Sequence, residues 1–162
     1  MTEKTLKGAG VSAGIVVAPV FRYEAIDLTP PQRDAESAEQ EISRFDDAVK
    51  QADAELIDLH EKLEASIGAE HAEIFQAHRM LLSDPMLADA VKQQINSGQI
   101  IEVAVQGATA ELAGMFRQMD DELIAARAAD IEDIGKRLLR NLLAVPDTSL
   151  SAIANPSIIV AE

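Results

Sequence analysis

The feature that most constrains this chain is a run of apolar side chains at alternating steps of three and four: Ile42, Phe45, Val49, Ala52, Leu56, Leu59 and Leu63. That rhythm keeps one stripe on one face of an α-helix for about six turns. Asp, Glu, Lys and Gln fill the positions between, whereas a strand would scatter the apolar set over both of its faces. The run therefore predicts one long amphipathic helix with a dry side and a wet side. Upstream, "DLTPPQRD" offers Thr29 or Asp34 as a cap and Pro30 and Pro31 for a first helical turn. Downstream, Gly68 suits a left-handed stop.

Further helices follow by the same reasoning. Residues 70–82 read as a short helix. Ser83 or Asp84 caps another, with Pro85 near its first position, and that one ends at Asn96 to Gly98. Residues 100–119 form a helix with small residues along it (Ala104, Gly107, Ala108, Ala110, Ala113, Gly114), which lets neighbours approach closely. Asp120 or Asp121 caps the last, which turns Leu123, Ala126, Ile131, Ile134, Leu138 and Leu142 inward and stops at Pro146. The two ends differ: "GIVVAPVF" and "NPSIIVAE" are β-branched and read as strands, with Pro19 marking an edge. The plan is strand (1–28), helical bundle (29–146), strand (147–162). So few strands rarely stand alone, so the sheet is expected to continue past Glu162 or to be completed by a partner.

Composition supports helix-on-helix packing, since only 3% of residues are aromatic and none is Trp. Ala, Leu, Ile, Val and Met must then build the core. A net charge of −14, from 28 acidic against 14 basic residues, disfavours nucleic acid and anionic membranes and favours a basic protein partner. The absence of cysteine removes disulfides, thiolate metal sites and cysteine nucleophiles. The N-terminus lacks the apolar core of a signal peptide, and no apolar run reaches the ~18 residues of a membrane helix. A soluble, cytoplasmic protein is expected.

Catalytic motifs fail on context. "GVSAG" (Gly10–Gly14) has the letters of a nucleophile elbow, but its strand follows the serine instead of preceding it. His71 and His78 lie about 10.5 Å apart along a helix, too far to share one ion, and His60 reads as a flank residue, so no metal site is expected. His78 remains, within "EIFQAHRMLLSDPML". It shares a broad face with Ile74, Ala77, Leu81 and Leu82, and Phe75 and Met80 add more apolar surface than one core stripe uses. The residues alone leave two readings of His78, a core-boundary histidine or a partner contact.

The segments "GVSAGIVVAPVF", "AEIFQAHRMLLSDPML", "RAADIEDIGKRLLRNLL" and "PSIIVAE" resemble, in order and spacing, the N-terminal part of Enzyme I of the sugar phosphotransferase system. That family is phosphoenolpyruvate–protein phosphotransferase. The resemblance implies a mainly α fold: a bundle of two hairpins, which docks the phosphocarrier HPr, flanked by strands of an incomplete α/β phosphohistidine subdomain. In that family the acceptor histidine lies in a Gly-Gly-x-Thr-Ser-His segment, expected beyond Glu162, so none of His60, His71 and His78 inherits that role. A separate barrel holds phosphoenolpyruvate and magnesium. This chain alone is thus expected to be inactive, without a cofactor of its own, and monomeric, the family's dimer being made by the barrel. HPr contacts carry over to His78, Met80 and Leu81, to Phe116 and Ile124, to Arg127, and to the acidic Glu70 and Asp84. His71 stands where some members have lysine, and Ala69, Pro85 and Met86 replace acidic residues of some relatives. The alternatives are a stand-alone helical interaction module and the equivalent domain of a multiphosphoryl transfer protein.

Overall fold

The computed structural model describes residues 9–23, 26–146, 153 and 155–161. The long stripe forms α1 (Ala38–Ile67). Its cap is Ser37, not Thr29 or Asp34: Ser37 Oγ accepts from Gln40 N–H, and the Gln40 side chain accepts from Ser37 N–H. This reciprocal box satisfies donors at both ends of one turn. Thr29 is diverted into a local turn on Asp27, whose Oδ1 accepts its amide at 2.9 Å, and Pro30 and Pro31 precede the helix in irregular chain. The buried line of α1 is Glu41, Phe45, Ala48, Ala52 and Leu56. Ile42, Val49, Leu59 and Leu63 are only half-buried, so the stripe is rotated toward Glu41 and the small Ala48.

Gly68, at φ 100°, ends α1 and begins α2 (Ala69–Leu82). A conformation that costs other residues dearly is free to glycine, so one residue separates two helices. Asp84 caps α3 (Pro85–Asn96), with Pro85 in its first turn. Then come α4 (Ile101–Arg117) and α5 (Glu122–Leu142), the latter capped by Asp121. On α5 the buried positions are Ala128, Ile131, Ile134, Gly135, Leu138 and Leu139. Stepping back from Ala128 by four reaches Ile124, so Leu123 lies about 100° off the stripe and Ala126 about 200°. Both expected inward positions are corrected: Leu123 and Ala126 are exposed.

The small residues of α4 let α5 come close. A Cβ at Gly135 would stand 2.6 Å from Thr109 Oγ1, so the backbone of α5 rests almost directly on Thr109. The hydroxyl of Thr109 is satisfied within its own helix, donating to the Val105 carbonyl at 2.8 Å. Ala104, Val105, Ala108, Leu112 and Ala113 from α4 join Phe45 and Leu56 from α1 and Ile134 and Leu138 from α5 in one core.

The chain divides into two compact units, Asp27–Asp147 holding the helices, and Met1–Ile26 with Thr148–Glu162. In the second, β1 (Val20–Tyr23) pairs in parallel with β2 (Ile158–Ala161), Val20 opposite Ile158. The β1 strand is shorter than "GIVVAPVF": Ile15, Val16 and Val17 are exposed and lie outside the sheet. Pro19 has no N–H for a ladder, although its carbonyl accepts from Ile158 N–H at 2.8 Å. Pairing therefore starts after the proline.

Not all acids lie on the wet side of the helices. Glu41 and Glu102 are almost completely buried. Arg33 donates to both oxygens of Glu41, at 2.5 and 2.7 Å, and to Glu102 at 2.8 Å. Arg44 reaches Glu102 at 2.6 Å and Glu41 at 3.2 Å. Glu41 also accepts the Ile101 amide at 3.1 Å, and so caps α4, whose own N-cap, Ile100, has no side-chain acceptor. The Arg33 hydrogen bond chiefly holds the Glu41 carboxyl at about 2, well below its ordinary 4.5.

Because the folded value is depressed, Glu41 stabilises the fold fully above about pH 4.5, and that contribution fades as pH falls toward about 2. We expect the urea midpoint to drop across this window. Glu41→Gln should remove much of that pH dependence and cost about 3 kcal/mol at pH 7. Equal acid sensitivity in wild type and variant would contradict this role.

Candidate functional site

The segment from His78 to Met86 is shaped by local chemistry. At the end of α2, Ser83 Oγ donates to the carbonyls of Arg79 and Met80, at 3.0 and 3.1 Å. At the start of α3, Asp84 Oδ1 accepts from Met86 N–H at 2.8 Å. The Ser-Asp-Pro break thus satisfies both helix ends. It can protrude without leaving orphan backbone groups.

This break stands against the end of α4 and the middle of α5. Leu81, Asp84, Met86, Leu112, Phe116 and Ile131 line a narrow apolar cleft of about 20 Å³, with Leu87 and Ile134. Near it the surface carries large apolar side chains that no core uses: Leu123 is 81% exposed and Met86, Met115 and Met119 about half, while Met80, on the other side of α2, is 74% exposed. Acidic Glu70, Asp84, Asp120, Asp121 and Glu122 are all exposed. Arg117 is held by Glu132 at 2.6 Å, whereas Arg127 is exposed and makes no ion pair with any of the described residues.

The structure brings most of the sequence-predicted residues together. Leu81, Asp84 and Phe116 meet in the cleft. Ile124 and Arg127 lie one turn apart on α5, and Arg127 is one turn before the cleft residue Ile131. Met80 turns to the other side of α2, toward a groove with Val49 and Asp53 of α1. Glu70 lies in the first turn of α2, about 12 Å along the helix from His78. His71 is exposed, and His60 stands 3.8 Å from Glu64.

His78 is a boundary residue. Its Nε2 lies 3.3 Å from Asp130 Oδ1 on α5, and its side chain is only 12% exposed. The ring ties α2 to α5 and leaves only a small edge to solvent. Asp130 was not foreseen, because it lies 52 residues away; its position three after Arg127 was the one available hint. Met86 was noted only as a replacement for an acid, yet it lines the cleft. Among the described residues no three His, Asp or Glu side chains cluster to hold a metal ion. What the residues form is a surface: an apolar floor, an acidic surround and one unpaired cation, which is the pattern of a protein contact.

A family model described as "PEP-utilising enzyme, N-terminal" matches residues 7–127. The chain is 40% identical over 158 residues to the phosphoenolpyruvate-protein phosphotransferase of Bacillus subtilis, covering 97% of this chain and 28% of that protein. To the enzyme of the same name from Enterococcus faecalis it is 37% identical, covering 99% and 28%. The chain therefore spans just over a quarter of the length of these curated relatives. It superimposes on the solution structure of Enzyme I (nEIt) with TM-score 0.77 and 31% identity, over 89% of this chain and 59% of that one. A second structure, the N-terminal domain of Enzyme 1 - Nitrogen, shares the fold at TM-score 0.69 and 24% identity, over 89% and 58%.

Two neighbouring side chains separate surface from core. Met80→Ser should change the unfolding free energy by no more than about 0.5 kcal/mol, because its surroundings are mainly water. Leu82→Ala, at 5% exposure, should cost about 2–5 kcal/mol. Urea unfolding of the two variants checks this, and similar losses from both would mean that Met80 packs inside.

Proposed function

The chain belongs to the family of N-terminal domains of PEP-utilising enzymes, and from that premise we propose that it is the HPr-recognition portion of an Enzyme I. In the intact protein, phosphate passes from phosphoenolpyruvate through an enzyme histidine to a histidine of HPr, with magnesium at the phosphoenolpyruvate site, in the cytoplasm and in the service of sugar uptake. The bundle is the part that grips HPr. The observation that carries this reading is the exposed apolar floor at the α2–α3 break and the α4–α5 turn, surrounded by acid.

Each residue has a physical part in such a complex. Leu81, Met86 and Phe116 supply apolar area on which apolar side chains of HPr can rest. The acidic surround attracts a basic docking surface and raises the association rate, which suits a relay whose complexes must form and part quickly. Arg127 offers its guanidinium to a carbonyl or carboxylate on the partner. His78, already engaged with Asp130, contributes a ring edge and is not a phosphate acceptor in this reading.

Titration of the isotope-labelled chain with unlabelled HPr tests the proposal. Amide signals over 78–87 and 116–127 should shift while those near Gly98 stay in place. Arg127→Ala should weaken binding about tenfold, or about 1.4 kcal/mol, with helix content unchanged. Undisturbed signals across the face, or full affinity in that variant, would overturn it.

A further inference from the structure

Methionine is ordinarily one of the more buried residue types. Here the distribution is inverted. Among the described residues neither the buried core nor the apolar residues packed against it include a methionine. All four described methionines, Met80, Met86, Met115 and Met119, are exposed, between 45% and 74%. They also gather at one end of the bundle. Met86 lines the cleft with Leu81 and Phe116. Met115 stands three residues after the cleft residue Leu112 on α4, and Met119 lies in the turn that follows that helix. Met80, next in sequence to Leu81, faces the groove on the α1 side of α2 at the same end of the bundle. The chain has no cysteine, so methionine thioethers are its only oxidisable sulfur.

From this placement we propose that Met80, Met86, Met115 and Met119 form an oxidative modification site, at which peroxide-type oxidants convert the thioethers to sulfoxides and switch off docking without unfolding the bundle. The inference rests on the HPr-docking reading and adds its regulation. The chemistry balances: the sulfur lone pair attacks one oxygen of hydrogen peroxide, an S–O bond forms and the O–O bond breaks. The departing hydroxide takes the proton from S–OH and leaves as water; sulfur loses two electrons and the peroxide gains them. Each event puts a polar oxygen on a flexible apolar side chain. On a face that must lose water when it docks, every such oxygen is a polar group to be desolvated without a partner. Oxidised methionines usually disrupt cores, but none of these four helps to fill this one. The damage is confined to recognition, and thiol-dependent sulfoxide reductases can reverse it.

The test treats the full chain with hydrogen peroxide. Peptide mass mapping follows each sulfoxide, circular dichroism follows the helices, and calorimetry measures HPr affinity before and after. The expected result is oxidation of all four at comparable rates, unchanged helix content and thermal midpoint, and at least a tenfold loss of affinity. In the Met80→Leu, Met86→Leu, Met115→Leu, Met119→Leu variant, peroxide should shift affinity less than about twofold from its own untreated value. Unchanged affinity in fully oxidised wild type overturns the inference, as does melting on oxidation or an equal peroxide effect in the leucine variant. If the untreated wild type fails to bind HPr, the docking reading falls and takes this inference with it. That outcome is distinct from binding that survives oxidation.

Discussion

Two carboxylates that share two arginines hold the helical unit in register. Glu41 lies in the first turn or so of α1 and Glu102 in the first turn of α4, and both are buried. Left unpaired, two such charges would repel and each would lose its hydration. Arg33 and Arg44 neutralise them in a closed ring of hydrogen bonds, with Arg33 meeting Glu41 through both nitrogens. The same contacts, above all the one to Glu41, raise the Arg33 guanidinium above its ordinary value. The backbone amides of Glu36 and Ile101 take up further lone pairs of Glu41. The stretch before α1, the start of α1 and the start of α4 therefore cannot shift separately without exposing a charge to an apolar interior.

That anchorage has consequences along α4. The helix begins without a capping side chain of its own, and the α1 carboxylate substitutes. Its small residues then let α5 settle on Thr109 at a distance that only a glycine at 135 permits. With one end of α4 fixed by charge and its length fixed by close packing, Leu112 and Phe116 are brought to the α2–α3 break. The exposed apolar floor is thus the far end of an element positioned by buried charge at its near end.

Legibility in the sequence followed the range of each interaction. The helices, the Gly68 reversal and the Asp84 cap were readable because periodicity and capping act within a few residues. Ser37 was missed because Thr29, Asp34 and two prolines offered competing signals, and the decisive one was the Gln40 side chain three residues on. The rotation of the α1 stripe and the burial of Glu102 were not readable: Arg33 and Glu102 are 69 apart in sequence. A carboxylate among other carboxylates carries no mark of its distant partner. The boundary reading of His78 agrees with the structure, but its tie to Asp130, 52 residues away, was not readable. Leu123 was misread because a one-position error in phase turns an apolar side chain out of the core. The mainly helical fold and its family were legible because four local motifs stand in order along the chain.

The exposed apolar face also shows why apolar side chains can remain in water here without weakening the fold. Exposed backbone ends would carry unpaired donors and acceptors, but Ser83 and Asp84 satisfy those at the break. Asp121 does the same at the start of α5, accepting from Leu123 and Ile124. What faces outward is therefore side chain alone, and its exposure costs only the burial that a partner would restore. Methionine suits such a surface, because its unbranched chain can adapt to more than one contour. Core and face thus differ in methionine: Leu, Ile, Val, Ala and Phe fill the core, where shape must be unique, and flexible thioethers stand outside it, where shape is to be met from outside. A substitution that moved methionine inward would blur that distinction, trading rigidity in the bundle against adaptability at the surface.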